Sequence, residues 1–264
     1  MHASHWQETL KTPAAGDHIV QVYQDEAFLC EAVAHYVGAG LKAGEAAVII
    51  ARAEHLRLFG RALGASGAAP ESAAAQGRLV LLDAAETLSR FMRNGAPQRE
   101  AFDACVGSLI AGLRAKYAKV RAYGEMVDLL WQDGERDAAL QLEELWNQLA
   151  HRQDFSLFCA YFMDPLDAGA YGGGALECVC RAHTHLIPAR DYERFDEAVA
   201  KASEAVLDRP LSQMLLSVAS MRPPKTRMPL GQATLLWLQK NMPLTAEKVL
   251  ARARAYAAAS PAAR

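Results

Sequence analysis

HIVQVYQDEAFLCEAVAHYVGAGLKAGEAAVII, running from His18 to Ile50, holds two short strand-like runs separated by one helical period. Ile19 to Tyr23 is β-branched and aromatic. Phe28, Ala32, Tyr36 and Val37 then recur at helical spacing, Gly40 and Gly44 are placed to close the helix, and Ala47-Val48-Ile49-Ile50 gives a second strand. The stretch reads as a βαβ unit.

The turn after the first strand bears on function. In nucleotide-binding α/β proteins of the RecA and KaiC type, that turn is a glycine-rich phosphate cradle with a lysine for the phosphates and a hydroxyl for magnesium. Here it is Gln24-Asp25-Glu26-Ala27, with no glycine, lysine, serine or threonine, and with two carboxylates where a triphosphate needs positive charge. The scaffold reads as kept and the ATPase chemistry as lost.

Strands and helices alternate onward from this unit. Glu54–Leu63 is predicted as a helix, Leu79–Leu82 as a third strand with Asp83 at its carboxyl end, and Glu86–Met92 as a short helix stopped by the Asn94-Gly95 turn. Pro97 suits the first turn of a long helix reaching Tyr117. Val120–Tyr123 and Phe155–Phe162 read as further strands, with helices over Met126–Trp131 and Ala138–Leu149 between them. This alternation predicts an α/β fold: a mostly parallel sheet flanked by helices, RecA/KaiC-like with a degenerate phosphate loop. After the glycine loop 168–174 the pattern is wholly helical, forming a C-terminal helical extension with a Pro223-Pro224 linker inside it.

Several separated stretches resemble the MEDS family, the DcmR-type sensory domain of methanogens and methylotrophs. They are His18-Ile-Val-Gln-Val-Tyr23, Gly40-Leu-Lys-Ala-Gly-Glu45, Gly77-Arg-Leu-Val-Leu-Leu-Asp83, Val120-Arg-Ala-Tyr-Gly-Glu-Met126, Leu142-Glu-Glu-Leu-Trp-Asn147 and His183-Thr-His185. The resemblance implies a sensory role and supplies no catalytic residues and no ligand. On it the chain divides into a flexible lead-in (1–17), a MEDS-like domain (18–190), a helical extension (191–222) and a basic amphipathic tail (223–264).

Composition narrows the function classes. At 264 residues, 52% hydrophobic and 22% charged, the chain fits a globular domain, and it has no apolar run of the roughly 18 residues that a membrane span needs. The N-terminus lacks a basic region followed by an apolar core, so a cytoplasmic location is expected. Five cysteines scattered through apolar elements predict reduced thiols. The net charge of −2 hides an asymmetry, because residues 221–264 carry +7 and the preceding chain −9.

Ligands of parallel sheets meet the carboxyl ends of the strands. The ligand-binding candidates there are Tyr23, Asp25, Glu26, Asp83, Arg121, Tyr123, Glu125 and Tyr161, with Trp131 as an aromatic wall. Arg121, Tyr123 and Glu125 alternate along one strand and its exit, near where a RecA-type ATPase carries its magnesium-binding acid, and either project together toward an anionic ligand or form structural ion pairs. Cys178, Cys180, His183 and His185 offer zinc-type donors, but 178 and 180 point roughly 200° apart on a helix, so packed thiols are favoured and no metal or other cofactor is assigned. His18 reads as a hydrogen-bonding partner at the start of the first strand. In the tail, Trp237, Lys240, Lys248, Arg252 and Arg254 are the partner-binding candidates.

The expected function is a non-enzymatic sensory protein of bacterial signal transduction. It binds a small effector or a protein partner, such as a kinase or transcriptional regulator, and signals through protein contacts. Self-association is a competing use of the tail, and nucleic acid is disfavoured. The alternatives are a constitutive interaction scaffold and a residual nucleotide-binding ATPase.

Overall fold

The fold begins earlier than the lead-in reading supposes. α1 (His5–Lys11) buries Trp6 and Leu10, and the Trp6 indole meets Phe28 edge-on at 5.4 Å and His35 at 5.9 Å. Seven helical residues are too few to display a period, which is why the stretch 1–17 looks featureless in sequence. The computed structural model describes residues 5–221 and 225–259. The chain divides into two compact units, Met1–Phe162 and Met163–Arg264, so the division falls inside the stretch 18–190 that the sequence presents as one domain.

In the first unit the elements follow in order. They are β1 (His18–Tyr23), α2 (Glu26–Lys42), β2 (Ala46–Ala51), α3 (Ala53–Ala65), α4 (Pro70–Ala75), β3 (Leu79–Asp83) and α5 (Ala84–Phe91). A hairpin of β4 (Met92–Arg93) and β5 (Ala96–Pro97) comes next, then α6 (Arg99–Phe102), a π-helical turn over Asp103–Gly107, and α7 (Ser108–Arg114). β6 (Val120–Gly124), α8 (Met126–Gln132), α9 (Arg136–Gln153) and β7 (Ser156–Phe162) complete it. Asn94 and Gly95 both take positive φ, +51° and +78°, as a two-residue hairpin turn requires. Pro97 therefore lies on β5, and the long helix expected to start there starts at Arg99.

The five long strands form a parallel sheet in the order β3-β2-β6-β7-β1. Strand alternation gives it two distinct faces. Toward α2 and α3 point Arg121, Tyr123 and Phe158, with Tyr123 and Tyr36 both edge-on to Phe158 at 5.4 Å. Toward α9 point His18, Cys159 and Tyr161, while Trp146 closes over Gly124 and meets Phe102 at 5.2 Å. Trp146 is thus core.

Gly40 does not close α2, which continues to Lys42. Its role is clearance: a Cβ there would lie 2.6 Å from Arg121 Nε, so only glycine lets that guanidinium pass the helix.

The second unit starts with a 3₁₀ stretch at Ala168–Gly174 and α10 (Ala175–Ala182), followed by the short β8 (His185–Ile187), bridged from His185 to Arg227. α11 (Tyr192–Leu207), α12 (Arg209–Met221), α13 (Leu230–Asn241) and α14 (Pro243–Ala259) follow, and α11 packs against each of the other three. Leu235, Leu238, Ala246, Val249, Leu250 and Ala253 are buried. Residues 230–259 are therefore part of this unit's core, in place of the appended tail read from their charge. α14 opens on Pro243, a residue with no N–H to satisfy. The Pro223-Pro224 linker lies outside the described residues.

Candidate functional site

Two ends of the same strands carry charge, and they are built differently. At the carboxyl end, the chain runs from β2 to β3 in one direction and returns across β2 to β6, so β2 and β6 flank the point where the topology reverses. Arg52 and His55 follow β2; Glu125 and Asp128 follow β6.

Both carboxylates there are buried and held by donors of the protein. Glu125 accepts the Arg52 backbone N–H at 2.9 Å, His55 Nδ1–H at 2.6 Å and the Tyr123 hydroxyl at 2.9 Å. Asp128 accepts the Arg52 guanidinium at 2.7 Å, the Phe162 N–H at 3.0 Å and the Gln132 amide at 3.1 Å. The hydrogen bond to Glu125 holds the His55 pKa above its usual value, against the opposing effect of burial. Burial, then the charges of Asp128 and Glu125, push the Tyr23 phenol upward. Glu26 reaches the outer nitrogen of His55 at 3.8 Å. Of the sequence candidates, Tyr23, Glu26, Tyr123 and Glu125 meet here. Arg52, His55 and Asp128 are additions that the sequence reading missed, although each sits within four residues of a strand end.

Asp25 and Asp83 act as helix caps. Asp25 accepts from Ala27 N at 2.9 Å and Asp83 from Glu86 N at 2.9 Å.

Arg121 leaves this group altogether. It shares a face with Tyr123 but turns back to the amino end, where Nε meets Glu45 at 2.6 Å and the two terminal nitrogens donate to the carbonyls of Leu10, Tyr36 and Lys11 at 2.9, 2.8 and 3.1 Å. Of the two readings open for Arg121, Tyr123 and Glu125, joint projection into one site and structural ion pairs, the geometry is that of ion pairs in two separate networks, Arg121 with Glu45 and Glu125 with His55 and Arg52. Arg121 also forms part of the wall of a cavity of about 610 Å³, together with Lys11, Lys42, Lys119, His35 and Glu45. Small residues of α2, Ala34, Gly38 and Ala39, give that cavity an apolar side.

The remaining candidates disperse. Tyr161 donates to buried Glu143 at 2.6 Å, and burial pushes the Glu143 carboxyl up to about 8, that hydrogen bond opposing the shift. Trp131 stands edge-on to Tyr161 at 5.4 Å with the Arg136 guanidinium 5.1 Å from its ring. His18 gives Nδ1–H to Asn147 Oδ1 at 2.8 Å, in keeping with a hydrogen-bonding role. Cys180 is buried, and burial pushes its thiol up to about 12, while Cys178 is half-exposed on another side of α10. His183 Nδ1 meets Val179 O, and His185 Nδ1 meets Thr184 Oγ1, so these four donors do not converge. In the last helices Lys240 and Lys248 are exposed and Trp237 is half-buried. Arg252 donates to Ala205 O, and Arg254 pairs with Asp164 and Asp167. These two arginines are thus engaged within their own unit.

Among the described residues no helix is long and apolar enough to cross a membrane. No curated protein and no solved structure matches the chain significantly. A family model, the methanogen/methylotroph DcmR sensory domain, matches residues 17–184. That match spans well over half of the chain, and the protein belongs to the MEDS family of sensory domains.

Proposed function

We propose that this protein is a non-catalytic cytoplasmic sensor that takes an anionic small molecule in the cavity at the amino end of the sheet and signals through contact with a protein partner. The observation that carries this reading is the cavity itself. Lys11, Lys42, Lys119 and Arg121 line about 610 Å³ against one carboxylate, Glu45, and the volume lies within the range of small-molecule sites. Arg121 also gives the cavity a route to the fold, since one guanidinium ties α1, α2 and the start of β2 together.

Two features argue against the ATPase reading on a RecA/KaiC-like scaffold. The N-terminus of α2, where a phosphate would dock, already holds the Asp25 carboxylate, with Glu26 beside it. The acid at the exit of β6, Glu125, is surrounded by donors from His55, Tyr123 and Arg52, which suits a fixed structural charge better than a magnesium ligand.

Native mass spectrometry of the purified chain tests the proposal. An anionic molecule retained by the natural protein and lost from the Lys42→Glu/Lys119→Glu variant is the expected result. A protein that retains nothing and still captures its partner favours the constitutive scaffold. Tight magnesium-dependent binding of ATP in calorimetry would overturn the non-catalytic reading.

A further inference from the structure

We infer that His18, Glu143 and Cys159 form a binding site for one divalent transition-metal ion, zinc(II) by the chemistry of the donors. The site is independent of the effector cavity: it lies on the α9 face of the sheet, whereas the cavity is bounded by α1 and α2.

The three donors come from three elements. His18 opens β1, Cys159 lies on the adjacent strand β7, and Glu143 projects from α9. All three side chains are buried. His18 Nε2 lies 3.3 Å from Cys159 Sγ and 3.4 Å from Glu143 Oε2, and the three ligand atoms fall within 4.8 Å of one another. Zinc bonds of roughly 2.0 Å to nitrogen and oxygen and 2.3 Å to sulfur place tetrahedral neighbours about 3.3–3.6 Å apart. The two separations from Nε2 therefore match the edges of a zinc tetrahedron, with one further ligand completing it.

The surrounding groups orient the donors as metal sites require. Asn147 Oδ1 accepts Nδ1–H of His18 at 2.8 Å, which fixes the tautomer and leaves the Nε2 lone pair facing the sulfur and the carboxylate. Tyr161 donates to Oε1 of Glu143 at 2.6 Å, so Oε2 is the oxygen turned to His18. Asn147 follows Glu143 by one helical turn, and Tyr161 follows Cys159 by one strand repeat, so each supporting group shares a face with a donor. The imidazole, the carboxylate and the sulfur meet in a dry space, where the Cys159 thiol lies within hydrogen-bond distance of His18 Nε2, and a cation bound there would take the place of the thiol proton. On binding, the Cys159 thiol and the Glu143 carboxyl, where it is protonated, each lose a proton to solvent and coordinate as thiolate and carboxylate. Such an ion would tie α9 to two neighbouring strands.

The test uses the full chain, stripped with a chelator and titrated with cobalt(II) and then zinc(II). We expect one equivalent of cobalt per chain, a thiolate-to-cobalt charge-transfer band, visible bands of tetrahedral intensity, and displacement of both by zinc. The charge-transfer band should vanish in folded Cys159→Ser and persist in Cys178→Ser/Cys180→Ser. His18→Gln and Glu143→Gln should each weaken zinc binding at least tenfold. Tyr161→Phe keeps all three donors and should weaken binding about 10- to 100-fold, as loss of an orienting partner does. It carries the test if Cys159→Ser fails to fold, which circular dichroism would show. Binding well below one equivalent, a band that survives Cys159→Ser or disappears with Cys178 and Cys180, or unaltered affinity in Tyr161→Phe would overturn the assignment.

Discussion

Arg121 and Glu125 stand four residues apart along β6 and its exit, and the sheet sends their charges to opposite ends. Glu125 is enclosed by three protein donors, and Asp128 beside it by three more. At the amino end, Lys42 and Lys119 keep their side chains exposed around an open cavity while Arg121 alone is buried. A charge can thus occupy the customary ligand edge of a parallel sheet and still be structural. Burial with complete hydrogen bonding stabilises a fold; exposed charge of one sign around a concave wall attracts a ligand.

The sharpest way to break this comparison is to remove the buried acid. Glu125→Leu leaves His55, the Tyr123 hydroxyl and the Arg52 N–H facing an apolar side chain, and should cost about 3–5 kcal/mol in denaturant unfolding. A loss below about 1 kcal/mol would mean that the carboxyl-end network is slack and available to a ligand. Arg121→Met should cost somewhat less, about 2–4 kcal/mol, because it strands the carbonyls of Leu10, Tyr36 and Lys11 but leaves Glu45 partly in reach of water. That loss would confirm Arg121 as a wall of the cavity that the fold depends on. Lys42→Glu/Lys119→Glu should shift stability by no more than about 0.5 kcal/mol per site, as exposed positions do, while abolishing retention of an anionic effector. A large stability loss in this variant would show that the lysines, too, are structural.

Much of this architecture is legible in the chain because it is local. A strand declares itself in five or six β-branched residues, and every long strand of the sheet lies where the apolar runs put it. The hairpin beside Asn94-Gly95 is missed because its strands are two residues each, too short to show alternation. The sites are less legible because they join residues remote in sequence. Tyr123 and Glu125 are near neighbours and readable as a pair, but His55 reaches Glu125 from 70 positions away. His18 and Cys159 are 141 positions apart, and only the pairing of β1 with β7 makes them neighbours. Arg121 misleads for a different reason. Its face follows from strand alternation, but a long side chain chooses its end of the strand by where the acceptors lie, and those belong to α1 and α2. The closing helices mislead through charge, since +7 over residues 221–264 draws attention away from the apolar spacing that packs them together.

The smallest expected effect concerns His55, the member of the carboxyl-end network whose charge changes near neutral pH. Its Nδ1 donates to Glu125 at 2.6 Å, Glu26 lies 3.8 Å from Nε2, the Arg52 guanidinium opposes protonation, and the Tyr23 ring stands 6.5 Å away. The hydrogen bond to Glu125 prevails over burial and raises the folded pKa above the ordinary 6.5. A raised imidazole pKa contributes stability that is fully present below the unfolded value and is lost as pH climbs through the folded value. Unfolding free energies of the natural chain and of His55→Gln, measured across that window, should therefore converge as pH rises. The glutamine donates to Glu125 at every pH and supplies a baseline without the titration. If the natural chain instead gains on His55→Gln as pH rises, the imidazole is neutral when folded, burial outweighs the carboxylate, and the carboxyl end is less fully compensated than its geometry indicates.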